Sequence, residues 1–219
     1  MSRYHEVYAA SQKDPQAFWG AAAQDLVWSK PYDKVFDPSQ GEYGKWFTGG
    51  ECSTAYNCLD RHVDEGNGDR NALIYDSPVT KTQKTYTYRE LRDEVATLAA
   101  VMSDMGVKKG DRVIIYMPLI PQALMAMVAC TRIGAVHSVV FGGFAAAELA
   151  TRINDSKPVM ILSASGGIEG SRVVQYKPLL DKAIELAEHK PSYTLIFQRD
   201  MAPGTLVEGR DFDWAASVA

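Results

Sequence analysis

The spacing of apolar positions becomes regular from residue 87 onward. Thr87 and Glu90 have capping-box spacing, in which each side chain satisfies a free amide at a helix start. Leu91, Val95, Leu98, Met102 and Met105 then mark one apolar stripe, and Gly106 supplies the stop. A KKGD turn leads into RVIIYM, an unbroken apolar run. Beyond Pro118 and Pro121, QALMAMVACTRIG is apolar nearly all round and predicts a helix buried on most sides. HSVVF, PVMILSAS and YTLIF are further strand-like runs, separated by the helical patterns AAAELATRIND and PLLDKAIELAEHK. Strands alternating with helices roughly every 30 residues predict an α/β fold, a doubly wound and mostly parallel sheet. Strands buried on both faces read as continuous apolar runs, as these do. The final stretch, RDMAPGTLVEGRDFDWAASVA, reads as a turn and the beginning of a helix.

The first 88 residues behave differently. NCLDRHVDEG predicts a short helix, with His62 as a surface or structural histidine. ALIYD and KTYTY predict the two strands of a hairpin. Residues 1–56 hold eleven of the 22 aromatic residues and three of the four Trp. Yet PQAFWG, DLVWSKPYDKVFD and YGKWFTGG follow neither a period of two nor one of 3.6. The reading is an irregular arm whose rings dock onto the same protein, in preference to an aromatic ligand box. The division is placed at residues 1–60 and 61–219.

Composition narrows the function. The chain has 219 residues, 46% hydrophobic and 23% charged, which excludes a disordered, collagen-like or disulfide-scaffold chain. The net charge is -4 and the cations are spread thinly, which argues against a nucleic-acid partner. No apolar run approaches the ~18 residues of a membrane span. The N-terminal MSRYHEVYAASQKDP has no signal core, and Cys52, Cys58 and Cys130 show no CxxC spacing. A cytoplasmic protein with reduced thiols and no structural zinc is expected.

Local motifs for nucleophilic catalysis are absent: there is no GxSxG and no HExxH. SASGG at 163–167 reads as a loop serine setting. FGGF at 141–144 follows a strand and precedes a helix, where a doubly wound sheet gathers its ligands. A tight turn explains those glycines equally well. SGGIEGSR at 165–172 offers backbone amides and Arg172 to a phosphate, with Glu169 opposing.

Three segments carry a more specific signal: YNCLDRHV, the run GVKKGDRVIIYMPLIPQALMAMVACTRIGAVHSVVFGGF, and SASGGIEGSRVVQYKPLLDKAI. Together they resemble the N-terminal part of AMP-forming acetyl- and propionyl-CoA synthetases, with ALIYDSPVT nearer the propionate branch. AFW, WSKPYDKVFD and WFTGGE resemble that family's N-terminal cap. The resemblance implies the first part of the large domain of an adenylate-forming enzyme. Such an enzyme uses ATP, CoA and Mg²⁺ to convert a short carboxylic acid to its acyl-adenylate and then its thioester. It implies CoA contacts at Phe141, Gly142 and Gly143, and at Gly170, Ser171 and Arg172. Acetate-type relatives usually carry two arginines in the second loop; Glu169 stands at the first of those positions. The phosphate loop, the adenine, ribose and Mg²⁺ motifs and the lid lysine do not occur in the 219 residues. The chain is therefore expected to be inactive alone, to supply no catalytic residue or metal ligand, and to self-associate through exposed apolar surface. A free-standing CoA- or nucleotide-binding module is the alternative.

Overall fold

The computed structural model describes residues 2–219, which divide into two units at Asn57/Cys58. In the first unit, helix α1 (Arg3–Lys13) precedes helix α2 (Pro15–Ala22). Asp14 starts α2 by accepting the Ala17 N–H at 2.9 Å, and Pro15 occupies the first helical turn, where its missing N–H has no partner to lose. Strands β1 (Lys34–Asp37) and β2 (Lys45–Thr48) form an antiparallel hairpin. The arm thus holds more regular structure than an irregular reading expects. No residue of α1 is buried, so no apolar stripe marks it in the sequence. The rings pack on one another within the unit: Trp28, Tyr32 and Phe47 lie with centroids 5.0–5.5 Å apart.

The second unit begins with a helical segment at residues 58–67, where NCLDRHVDEG predicts one. Strands β3 (Asn71–Ser77) and β4 (Thr82–Thr87) form the expected hairpin. Thr87 then caps helix α3 (Tyr88–Asp104): its Oγ1 accepts the Glu90 N–H at 3.2 Å, and Glu90 accepts the Thr87 N–H at 2.8 Å. Leu91, Val95, Leu98 and Met102 are buried, and Gly106 leaves the helix at φ +94.

The sheet follows: β5 (Arg112–Met117), helix α4 (Pro121–Ile133), β6 (Val136–Phe141), helix α5 (Ala146–Ser156) and β7 (Met160–Ala164). Next come a small hairpin, β8 (Gly166–Glu169) with β9 (Arg172–Gln175), helix α6 (Tyr176–Leu186) and β10 (Tyr193–Phe197). The predicted strands RVIIYM, HSVVF, MILSA and YTLIF all lie parallel in one sheet. A fifth short strand, β11 (Asp211–Asp213), joins the edge and runs into helix α7 (Trp214–Ser217), where only a turn and helix were expected.

The spatial order is β6-β5-β7-β10-β11. The chain steps from β5 outward to β6 and then back past β5 to β7. With right-handed crossovers, that reversal sends α4 and α5 to opposite faces. Accordingly α3 packs with α4, and α5 with α6. All of β7, and β5 from Val113 to Met117, are buried. Each fully buried aliphatic side chain there stabilises the fold by roughly 1.5–3 kcal/mol.

Candidate functional site

A doubly wound sheet opens a crevice beyond the carboxyl ends of its strands, at the point where strand order reverses. Here that point lies between β5 and β7. The crevice is a cavity of about 310 Å³, rimmed by Leu119 and Ile120 after β5, Phe141 and Gly142 at the end of β6, Glu169 in β8, and Arg199 after β10.

The turn after β6 holds three of the predicted residues. Phe141 stands 67% exposed. Gly142 and Gly143 are required by close approach. A β-carbon on Gly142 would lie 2.6 Å from the Tyr176 ring; one on Gly143, at φ +89, would lie 1.8 Å from Glu169 Oε1. The opposite side of the cluster is equally tight: a β-carbon on Gly167 would meet the Tyr176 hydroxyl at 2.4 Å. Tyr176 is thus clasped between two glycine backbones. Its ring lies 5.2 Å from that of Tyr116, whose hydroxyl donates to the Phe144 carbonyl at 3.0 Å. Burial pushes the Tyr116 phenol up to about 12. Burial, reinforced by the charge of Glu169, also raises Tyr176. Both phenols are protonated at neutral pH; Tyr176 serves packing, and Tyr116 both packs and donates, so neither is a base.

The other three predicted residues form the tip of a hairpin where an open loop was expected. Glu169 and Arg172 face each other in register across β8 and β9, with Gly170 at φ +61 in the two-residue turn. Such a turn needs positive φ, which glycine supplies without strain. Glu169 does not use its position to pair with Arg172. Its Oε1 is buried without a hydrogen-bond partner and lies against Gly143. Arg172 is exposed, and its guanidinium has no ion pair or hydrogen bond among the described residues. Arg172 and Gly143 line a separate, open depression of about 410 Å³ with Gln175. The structure therefore puts Phe141 and Gly142 on one concavity and Gly143 and Arg172 on the next; Gly170 and Ser171 line neither.

Ser165 has a structural task. Its Oγ accepts the Arg199 N–H at 2.8 Å, and its carbonyl accepts the N–H groups of Tyr176 and Lys177 at 3.0 and 3.1 Å. Among the described residues, no group of three or more His, Cys, Asp or Glu side chains is placed to hold a metal ion. No helix among them is long and apolar enough to cross a membrane.

The family model for AMP-binding enzymes matches residues 59–215, and the model for the acetyl-coenzyme A synthetase N-terminus matches residues 4–58. The chain belongs to the AMP-binding enzyme family. It is 48% identical to rat acyl-CoA synthetase short-chain family member 3, mitochondrial, over 99% of this chain and 32% of that protein. It is 42% identical to propionate–CoA ligase of Salmonella typhimurium, over 97% of this chain and 34% of the ligase. The solved acetoacetyl-CoA synthetase from Streptomyces lividans superposes with a TM-score of 0.85 at 26% identity, covering all of this chain and 33% of its own. The chain spans about a third of the length of the curated relatives it matches. In this AMP-binding enzyme segment, Tyr176 and Arg199 line the crevice, and Tyr116 packs against Tyr176, but none of the three is marked in the sequence. A tyrosine at a helix start and an arginine after a strand carry no local sign of what they face. Only the glycines hinted at a close neighbour.

Proposed function

We propose that the chain is the N-terminal part of a ligase that activates a short carboxylic acid, acetate or propionate, and transfers it to CoA. The carboxylate attacks the α-phosphorus of ATP, forming the acyl-adenylate and expelling pyrophosphate. The CoA thiol then attacks the acyl carbon, giving the thioester, AMP and a proton. In this reading the residues of the present chain serve the second half-reaction. Phe141 offers an exposed ring face, and Gly142 and Gly143 let a nucleotide approach the backbone. The hairpin tip, Gly170, Ser171 and Arg172, meets CoA phosphate. Mg²⁺ and the adenylating groups belong to other parts of the parent enzyme. The cytoplasm is the proposed location, consistent with the free thiols Cys52, Cys58 and Cys130.

The observation that carries the reading is the hairpin tip. Glu169 is turned under Gly143, so it leaves the Arg172 guanidinium beside the turn without a competing carboxylate. A charge-assisted contact to phosphate needs such an unpaired fork. The test is a separation of half-reactions in the full-length parent. Arg172→Ala is expected to impair thioester formation while ATP–pyrophosphate exchange with propionate stays near wild type. Equal damage to both steps, or to neither, would remove Arg172 from the CoA site. The 219-residue chain alone is expected to show no exchange, since the phosphate loop and lid lysine by which the family neutralises the triphosphate do not occur in it.

A further inference from the structure

One face of the β3–β4 hairpin turns Tyr75, Thr82, Lys84 and Tyr86 the same way. Alternate strand residues share a face, and Tyr75 pairs with Lys84 in register. This face walls a second cavity, of about 340 Å³, whose far side includes Gln122 at the start of α4 and Arg199 after β10. Two cations line it. The Lys84 ammonium rests 4.3 Å above the Tyr86 ring centroid, which holds it at the wall. The neighbouring Tyr86 hydroxyl raises its pKa and keeps it charged. Arg199 is anchored by its backbone N–H, which donates to Ser165 Oγ at 2.8 Å. Its guanidinium has no ion pair or hydrogen bond among the described residues. Thr80 lines the same cavity, and its Oγ1 is buried without a hydrogen-bond partner. A buried hydroxyl left in that state signals a missing partner. One carboxylate, Asp200, also lines the cavity and is outnumbered by the two cations.

We propose that this cavity is a phosphate-binding site, with Arg199 and Lys84 as its charged contacts. Its charged contacts are not among the residues assigned to CoA above, although Arg199, Thr80 and Ile120 also rim the neighbouring crevice. A guanidinium presents a planar fork of donors that matches two phosphate oxygens, and an ammonium supplies a point charge for a third. A carboxylate group shares this anionic chemistry, so the experiment carries both anions.

The isotopically labelled 219-residue chain is titrated with inorganic phosphate, and in parallel with propionate, at constant ionic strength. Saturable amide shifts confined to residues 80–86, to Ile120 and Gln122, and to residues 198–201 are expected with phosphate. Arg199→Gln and Lys84→Gln should each weaken binding about tenfold or more, the loss of one charge-assisted contact. Lys182→Gln, which removes a cation from the outer surface of α6, should leave it unchanged. Scattered or non-saturating shifts would overturn the site, as would undiminished binding in the folded Arg199→Gln chain. Saturation of the same amides by propionate but not phosphate would overturn the phosphate assignment. If Arg199→Gln does not fold, Lys84→Gln decides alone: full retention of binding refutes the proposal, and a tenfold loss supports it.

Discussion

The two edges of the five-stranded sheet are held in different ways. At β11 the edge is locked by charge. The Asp211 side chain is fully buried and accepts from Lys177 Nζ at 2.9 Å, Arg210 Nε at 2.6 Å, Thr194 Oγ1 at 2.6 Å and the Val207 N–H at 2.8 Å. Lys177, only 2% exposed, also reaches Asp181 at 2.6 Å, and Arg210 bonds the same carboxylate. Two cations and two carboxylates close a ring that ties α6 to the edge. At β6 the edge is open and apolar, with Val136, Val139 and Phe141 each more than half exposed. A three-residue strand such as β11 has too few ladder bonds to hold itself, so side chains supply the attachment. The six-residue β6 is secured by full register with β5 and leaves its far side to whatever approaches the candidate site.

Breaking the locked edge should give the largest effect. Asp211→Ala leaves Lys177 buried with one partner fewer, and removing one member of a buried pair typically costs about 3–5 kcal/mol. Urea unfolding of the chain should show it as a lowered midpoint. Replacing Lys177 and Asp211 together by apolar residues should recover much of the loss. If the double variant is as unstable as the two singles added, the network is not the latch. The lock also has a pH signature. The ring of donors holds the Asp211 carboxyl well below its ordinary 3.8 despite burial. A depressed folded pKa contributes stability that is complete above about 4 and lost as pH falls below it. Acid unfolding of wild type should therefore be steeper than that of Asp211→Asn over that range.

On the open edge, the effects belong first to function. At the neighbouring β8–β9 hairpin tip, the proposed CoA contact predicts that Arg172→Ala in the full-length parent costs roughly 1.5–3 kcal/mol, about ten- to hundredfold in kcat/KM for CoA. Gly143→Ala acts through the backbone. At φ +89 a side chain costs about 1–2 kcal/mol, and the new methyl also displaces Glu169. Adding Glu169→Ala should relieve the collision but not the φ strain, so thermal melting of the double variant should recover only in part. Full recovery would mean that the contact alone demands glycine.

The two edges were not equally legible. β6 and its neighbours are readable because burial on both faces leaves continuous apolar runs such as RVIIYM. The capping box at Thr87 and Glu90 is readable because its geometry is local. β11 is the short, polar DFD, and its place depends on Asp211 meeting a lysine 34 positions earlier in the chain. No pattern in the sequence encodes that distance. The site divides in the same way. The position of FGGF after a strand marks the turn, but nothing local says that Tyr176 fills the space under Gly142. Nor does the sequence reveal that Glu169 points at Gly143 instead of Arg172. The hairpin β8–β9 was hidden because its glycines suggested a loop.

The smallest effect tests the openness of the β6 edge itself. A strand edge with unpaired backbone groups and apolar side chains invites association with another chain. The 219-residue chain is therefore expected to self-associate, with an apparent mass in sedimentation equilibrium that rises with concentration. Val136 is the position to change, because it is 55% exposed and lies at the far end of β6 from the candidate site. Val136→Lys places a charge on that edge, which disfavours stacking against another copy, while a surface substitution of this kind shifts folding stability by only about 0.5 kcal/mol. The expected result is a chain that melts near wild type and stays closer to monomeric mass. Unchanged association in Val136→Lys would place the contact elsewhere, and a wild-type chain that remains monomeric at high concentration would show that an apolar edge of this length is tolerated in water.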